Sequence, residues 1–207
     1  MPTVNHTDRY LADVLVIVNA LDRSAIERLA DLLAAVRARE GRLFILGVGG
    51  GAGHASHAVN DFRKLAGFEA YAPSDNASEL TARINDDGWD SAYAEWLRGS
   101  RLSARDMVLV LSVGGGDPAR GVSTILVSAL DLAREVGCAI GGIVGRDGGD
   151  TARVAEACVV VPSPNPSLVT PHTETFQALV WHLLVSHPRL QRGAMKWESV
   201  GNDSLAR

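Results

Sequence analysis

Cysteine is nearly absent: the 207 residues hold two, Cys138 and Cys158, with no C-x-x-C pair. That argues against a secreted disulfide framework. Each thiol sits in an apolar stretch and reads as a buried free cysteine. Aromatic residues make up 5% of the chain, too few for a base-stacking platform. No lysine or arginine run breaks a sequence of net charge −4, which argues against nucleic acid and anionic membrane surfaces as partners. No apolar run approaches the roughly 18 residues of a membrane span. The start, Met1 to Tyr10, has no signal-peptide hydrophobic region, so the expected compartment is the cytoplasm. No Pro-, Gly- or Ser-rich linker and no repeat divides the chain. One domain over 1–207 is expected, with N-terminal helices in 1–40, a core in 42–187 and a tail in 188–207. The stretch after Gly201 reads as a disordered chain end.

Hydrophobic residues are plentiful, at 46%. Leu11, Val14, Leu15 and Val18 share one helical face, and Ile26, Leu29, Leu32, Leu33 and Val36 another. Gly41 ends that helical segment. Arg42 to Leu46 is then a short continuous apolar run, the mark of a strand buried on both faces. A helix over about His54–Leu65 follows, and a weaker strand near Phe68–Tyr71. Asn76–Trp96 reads as helical, with a turn at Asp86-Asp87-Gly88. Met107–Leu111 is a strand, Val122–Val136 a helix, Ala139–Val144 a strand, Val159–Val161 a short strand and Thr173–Ser186 a closing helix. This alternation predicts an α/β fold with a doubly wound, mainly parallel sheet flanked by helices in three layers. Ligands bind such sheets beyond the carboxyl ends of the strands.

Three glycine clusters fall at that edge: Gly47–Gly53, Ser112–Gly116 and Gly145–Gly149. Glycine admits positive φ and close approach to backbone amides, and a helix start after such a loop suits phosphate. Gly47-x-Gly49-x-x-Ala52 nearly matches a dinucleotide fingerprint. No convincing acidic residue closes the second strand, however, because Glu69 falls before its end. No G-x-x-x-x-G-K-[ST] loop exists either, so no nucleotide cofactor is expected. Tight turns without a ligand are the bland alternative.

Two helices carry the polar candidates. His54, His57 and Asp61 stand at i, i+3 and i+7 and share a face opening beside the first glycine loop. Glu174 and His182 are eight apart on the closing helix. Two imidazoles and two carboxylates make a divalent metal site, zinc or another ion, chemically reasonable. The competing readings are a core histidine for His182, among Leu179, Val180, Trp181 and Leu183, and a helix-start residue for His54. His6, His172 and His187 read as solvated or capping.

These features together resemble the sugar isomerase (SIS) domain family, and within it the phosphoheptose isomerases. The resemblance rests on the helical start, the glycine loop with a His on the next helix, and the Asn85–Gly88 turn. It rests further on Ser112 after a buried strand, the Gly145–Gly149 turn, the His-bearing last helix and the Lys196–Val200 tail. Two loops depart from the family. Gly47-Val-Gly-Gly-Gly51 stands where G-N-G-G-S is usual, and Ser112-Val-Gly-Gly-Gly-Asp117 where S-T-S-G-N-S is usual. Asp117 would repel a phosphate placed as in the family; backbone amides, Ser123, Thr124 and Arg120 are the substitutes in view.

The resemblance implies a phosphorylated sugar held by Gly49, Gly50, Gly51, Asp86, Ser112, Gly114, Gly115, Gly116, Ser123 and Thr124. It implies metal ligands among His57, Asp61, Glu174 and His182. Catalysis would fall to Asp61 or Glu174 with His182, moving a proton between C1 and C2 of a ketose such as sedoheptulose 7-phosphate. A non-catalytic sugar-phosphate sensor and a metal-dependent hydrolase are the rivals. Relatives form tetramers, and two apolar faces on the N-terminal helices point to a homotetramer here.

Overall fold

The structure, a computed structural model, describes residues 5–199. The tail after Gly201 lies outside the described residues. Helices α1 (His6–Ala20) and α2 (Arg23–Ala38) open the chain. Each starts where an Asn5 or Asp22 side chain accepts a hydrogen bond from a first-turn amide, as N-caps do. Then follow β1 (Leu43–Gly47), α3 (Gly50–Lys64), β2 (Ala70–Tyr71), α4 (Ala77–Asp86), α5 (Ala92–Gly99) and β3 (Met107–Ser112). The chain continues through α6 (Thr124–Val136), β4 (Ala139–Val144), α7 (Gly149–Val154), β5 (Ala157–Val160), α8 (Val169–Val185) and α9 (Lys196–Ser199). Two single 3-10 turns also lie among the loops.

All strand pairings are parallel, in the order β2-β1-β3-β4-β5. The order reverses between β1 and β3, so the switch-point crevice opens beside their glycine loops. Every residue of β1, β3 and β4 is buried, which the continuous apolar runs require. Alternate residues serve opposite faces. Leu43, Ile45 and Leu109 pack with α2, α3 and α8 through Leu29, Leu33, Phe62, Phe176 and Val180. Phe44, Leu46, Val108 and Val110 pack with α5 and α6 through Trp96, Leu97, Leu126 and Leu130. At the opposite edge of the sheet Arg42 and Asp106 tie β1 to β3 with a 2.8 Å ion pair. Burial opposes the charge on Asp106, but hydrogen bonds from Arg42 and Ser103 prevail and hold its pKa below the usual value.

Several boundaries differ from expectation. β2 is only two residues long. α3 begins at Gly50, not His54, because Gly49 takes φ +59° as its N-cap and the following glycines pack tightly. A Cβ on Gly51 would stand 2.3 Å from the Leu111 carbonyl oxygen. The glycines thus let α3 lie directly on the sheet. α8 starts at Val169, a full turn before Thr173. That draws His172 into the interior, where it is 1% exposed; it is neither solvated nor a cap.

Candidate functional site

α3 and α8 lie side by side on one face of the sheet, joined through Ala58, Phe62, Val180 and Trp181. Their polar faces meet at the rim of this contact. Asp61 Oδ2 stands 3.7 Å from His57 Nε2 and 3.7 Å from His182 Nε2. The two imidazoles face each other edge-on, their centroids 5.5 Å apart. One ligand atom from each of the three lies within 4.8 Å of the others. Among the described residues no other His, Cys, Asp and Glu group of three or more does so. Trp181, fully buried, stacks on His182 and touches the edge of His57.

The hydrogen bonding of His182 defines its tautomer. Its Nδ1 lies 2.8 Å from the Ala178 carbonyl oxygen. A carbonyl only accepts, so Nδ1 carries the hydrogen, and in the neutral ring Nε2 presents a lone pair towards Asp61. A lone pair facing a carboxylate is satisfied by a cation or a proton between them.

Glu174 stands apart from this cluster. A Cβ on Gly50 would fall 2.3 Å from Glu174 Oε1, so its carboxylate covers the opening turn of α3. Helix amide donors and a positive dipole end favour a carboxylate there. Glu174 precedes His182 by eight residues, about 12 Å of helix. His54 completes the row. Burial, with His57 and His182 nearby, lowers its pKa, and Glu174 only partly opposes this. His54 is therefore neutral at neutral pH. It is inside α3 rather than at its start, and the i, i+3 spacing to His57 is the signal that places it on this face.

The glycine loops are less open than their composition suggests. Ser112 is buried, and its Oγ accepts from Gly115 N at 3.1 Å. Gly115 and Gly116 hold φ of +70° and +86°. Their carbonyls accept from the amides of Thr151 and Asp150, clamping the β3 loop to α7. Gly51, Gly115 and Gly116 are buried, while Gly49 and Gly50 are exposed and Gly114 half-buried. Ser123 sits at φ +52° before α6, and its side chain makes no cap bond. Thr124 Oγ1 donates to Asp90 Oδ1 at 2.5 Å. Asp86 is exposed in the last turn of α4, accepting from Asn85. Asp117 pairs with Arg120 at 3.4 Å, so neither charge of this turn stands alone. Cys138 is buried and Cys158 half-buried, both as free thiols, and burial pushes each up to about 12.

A parallel 2-1-3-4-5 sheet with glycine loops at its switch point, and a histidine–carboxylate cluster on two helices beside them, defines a doubly wound α/β protein with a candidate site at the strand ends. The SIS domain family model matches residues 9–145, and the chain belongs to that family. It is 33% identical over 160 residues to a phosphoheptose isomerase from Pelobacter propionicus, covering 75% of this chain and 78% of that protein. It is 32% identical over 152 residues to a lincomycin biosynthesis protein from Streptomyces lincolnensis, covering 68% of this chain and 54% of that one. The fold matches the solved phosphoheptose isomerase from Neisseria gonorrhoeae with TM-score 0.71 and 22% identity, over 87% of this chain and 97% of that one. The Francisella tularensis phosphoheptose isomerase superposes with TM-score 0.72 and 19% identity, over 88% and 97% of the two chains.

Proposed function

We propose that this protein interconverts a ketose phosphate and an aldose phosphate through an enediol, with sedoheptulose 7-phosphate as the substrate class. The observation that carries the reading is the meeting of His57, Asp61 and His182, with Glu174 over Gly50, in a chain so similar to proteins named phosphoheptose isomerase. Two imidazoles and a carboxylate suit a divalent metal such as zinc, with a coordination position left for a ligand. His57, Asp61 and His182 would hold it, and when bound it supplies electrophilic pull on the sugar carbonyl.

The remaining steps belong to the chain itself. Glu174, outside the cluster, takes the proton from one carbon and returns it to the next, a role supported by its carboxylate lying over Gly50. His54, kept neutral, can hydrogen-bond a substrate oxygen without repelling a cation. Asp61 orients both imidazoles. If no metal binds, the His182–Asp61 pair is the proton-transfer couple instead. The exposed apolar residues Leu11, Leu15 and Val16 of α1 and Leu179 and Leu183 of α8 support assembly as a homotetramer. The free thiols suit a reducing compartment, the cytoplasm.

The test is to incubate the pure protein with sedoheptulose 7-phosphate and follow aldose formation by NMR. Turnover that falls by about a hundredfold or more in Glu174→Gln, the scale of a lost acid–base group, and that is also lost in His182→Gln, with unchanged circular dichroism spectra, supports the reading. Binding without turnover would make the protein a sugar-phosphate sensor, and released phosphate a hydrolase.

A further inference from the structure

The β3 loop lacks the hydroxyls that would cradle a phosphate, and the pockets on its two sides differ sharply in charge. One, of about 350 Å3, is lined by Gly116, Asp117, Asp147, Asp150 and Arg153 among others. Three carboxylates face a single guanidinium there, and that guanidinium is paired with Asp150. This side repels an anion. The other pocket, of about 450 Å3, is lined by Val113, Arg146, Ser163, Pro166, Val169 and Thr170. It has one positive charge, two hydroxyls and no carboxylate.

Arg146 is unusual in three respects. Its backbone holds φ +53°, a left-handed conformation that a long side chain rarely adopts. Its side chain runs across the glycine loop, with Cδ 3.9 Å from where a Gly114 Cβ would be. Among the described residues no acidic group pairs with it, whereas Arg120 and Arg153, the other arginines near this loop, are engaged by Asp117 and Asp150. Strained backbone held in place at a ligand edge is a recurring sign of a binding role.

The opening turn of α8 adds neutral donors. Val169 and Thr170 line the pocket, and no side chain caps the helix at Leu168. Thr170 precedes Glu174 by four residues, so the two share a helical face about 6 Å apart along the axis. An anion held at this turn would direct the attached chain towards Glu174 and the cluster beyond.

We propose that this pocket binds the substrate's phosphate monoester, with Arg146 supplying the charge and Ser163, Thr170 and the uncapped turn the remaining donors. The identity of the sugar rests on the isomerase reading; the anion site does not. The test compares the full-length protein with Arg146→Gln, Arg146→Lys and Arg120→Gln. Inorganic phosphate binding is measured by calorimetry, and steady-state kinetics use sedoheptulose 7-phosphate. Arg146→Gln is expected to weaken phosphate binding and raise KM about tenfold or more, the scale of a lost charge-assisted hydrogen bond. Its kcat should change much less. Arg146→Lys should recover part of the loss, and Arg120→Gln should resemble the wild type. Ser163→Ala with Thr170→Val should shift both measurements in the same direction even if Arg146→Gln folds poorly.

Unchanged phosphate affinity and KM in Arg146→Gln, or the loss appearing in Arg120→Gln instead, would overturn the anion site while leaving an active isomerase intact. A wild-type protein that binds phosphate through Arg146 but never isomerises the sugar would keep the anion site and remove the isomerase reading.

Discussion

His54 is acted on by the Glu174 carboxylate and by two imidazoles, and its environment decides its charge. Burial is the largest cause of its lowered pKa. The folded state therefore favours the neutral ring, and the unfolded chain binds a proton first as pH falls. Stability is full above the ordinary value of 6.5 and declines as pH drops through it towards the folded value. Urea midpoints measured from neutral pH down to about 5 should fall more for the wild type than for His54→Gln. Equal slopes would mean that His54 is not held neutral. Tyr93 shows the same logic with a structural outcome. Its hydroxyl donates to the Gly47 carbonyl at 2.7 Å, and burial raises its pKa to about 12. Tyr93→Phe leaves that carbonyl without its donor at the mouth of the first glycine loop. A loss of about 1–3 kcal/mol in chemical denaturation is expected.

The site depends on α3 as an element, because His54, His57 and Asp61 all ride on it. Gly51 lets that helix rest on β3, with the Leu111 carbonyl where a Cβ would be. Gly51→Ala must push the helix off the sheet. We expect a stability loss of about 1–3 kcal/mol together with loss of turnover, since Asp61 would move relative to His182 on α8. A variant that keeps full activity would show that the spacing between α3 and α8 does not matter. The alternation of elements was readable from residues 42 to 185, because buried parallel strands write themselves as unbroken apolar runs and helices as a 3.6-residue period. The start of α3 was misplaced because glycine is a poor helix former, and only contact with the sheet makes four of them, Gly47 and Gly49 to Gly51, a strand exit and a helix start. α7 is a single short stretch after Gly148 at φ +85°, too brief to show a period.

At the scale of the whole molecule, the outer face of α1 is the feature without an internal explanation. Leu15 is 66% exposed and Leu11 56%, and the same helix borders a mainly apolar groove lined by Val18, Leu21, Ile26, Phe176, Leu179 and Leu183 with Arg23 and Glu27. Large apolar patches of this kind mark contact surfaces. Light scattering of the wild type should give a multiple of the single-chain mass. Leu15→Glu should shift it towards the single chain, because a charge buried in such a contact is costly. A wild-type protein that runs as a monomer at all concentrations would remove the tetramer proposal.

The alternation of strands and helices apart from α7, and the presence of His57 and Asp61 together on one helix and of Glu174 and His182 on another, followed from the sequence alone. Each depends on residues close in the chain, where periodicity and turn chemistry act. The tertiary structure decided what those pairs do. It brought His182 to Asp61 but set Glu174 over Gly50, drew His172 into the interior, and, among the described residues, left Arg146 rather than Arg120 without an acidic partner. Those outcomes depend on how far and at what angle α8 lies across α3 and the loops. That packing is fixed by side chains far apart in the chain, and no local pattern records it.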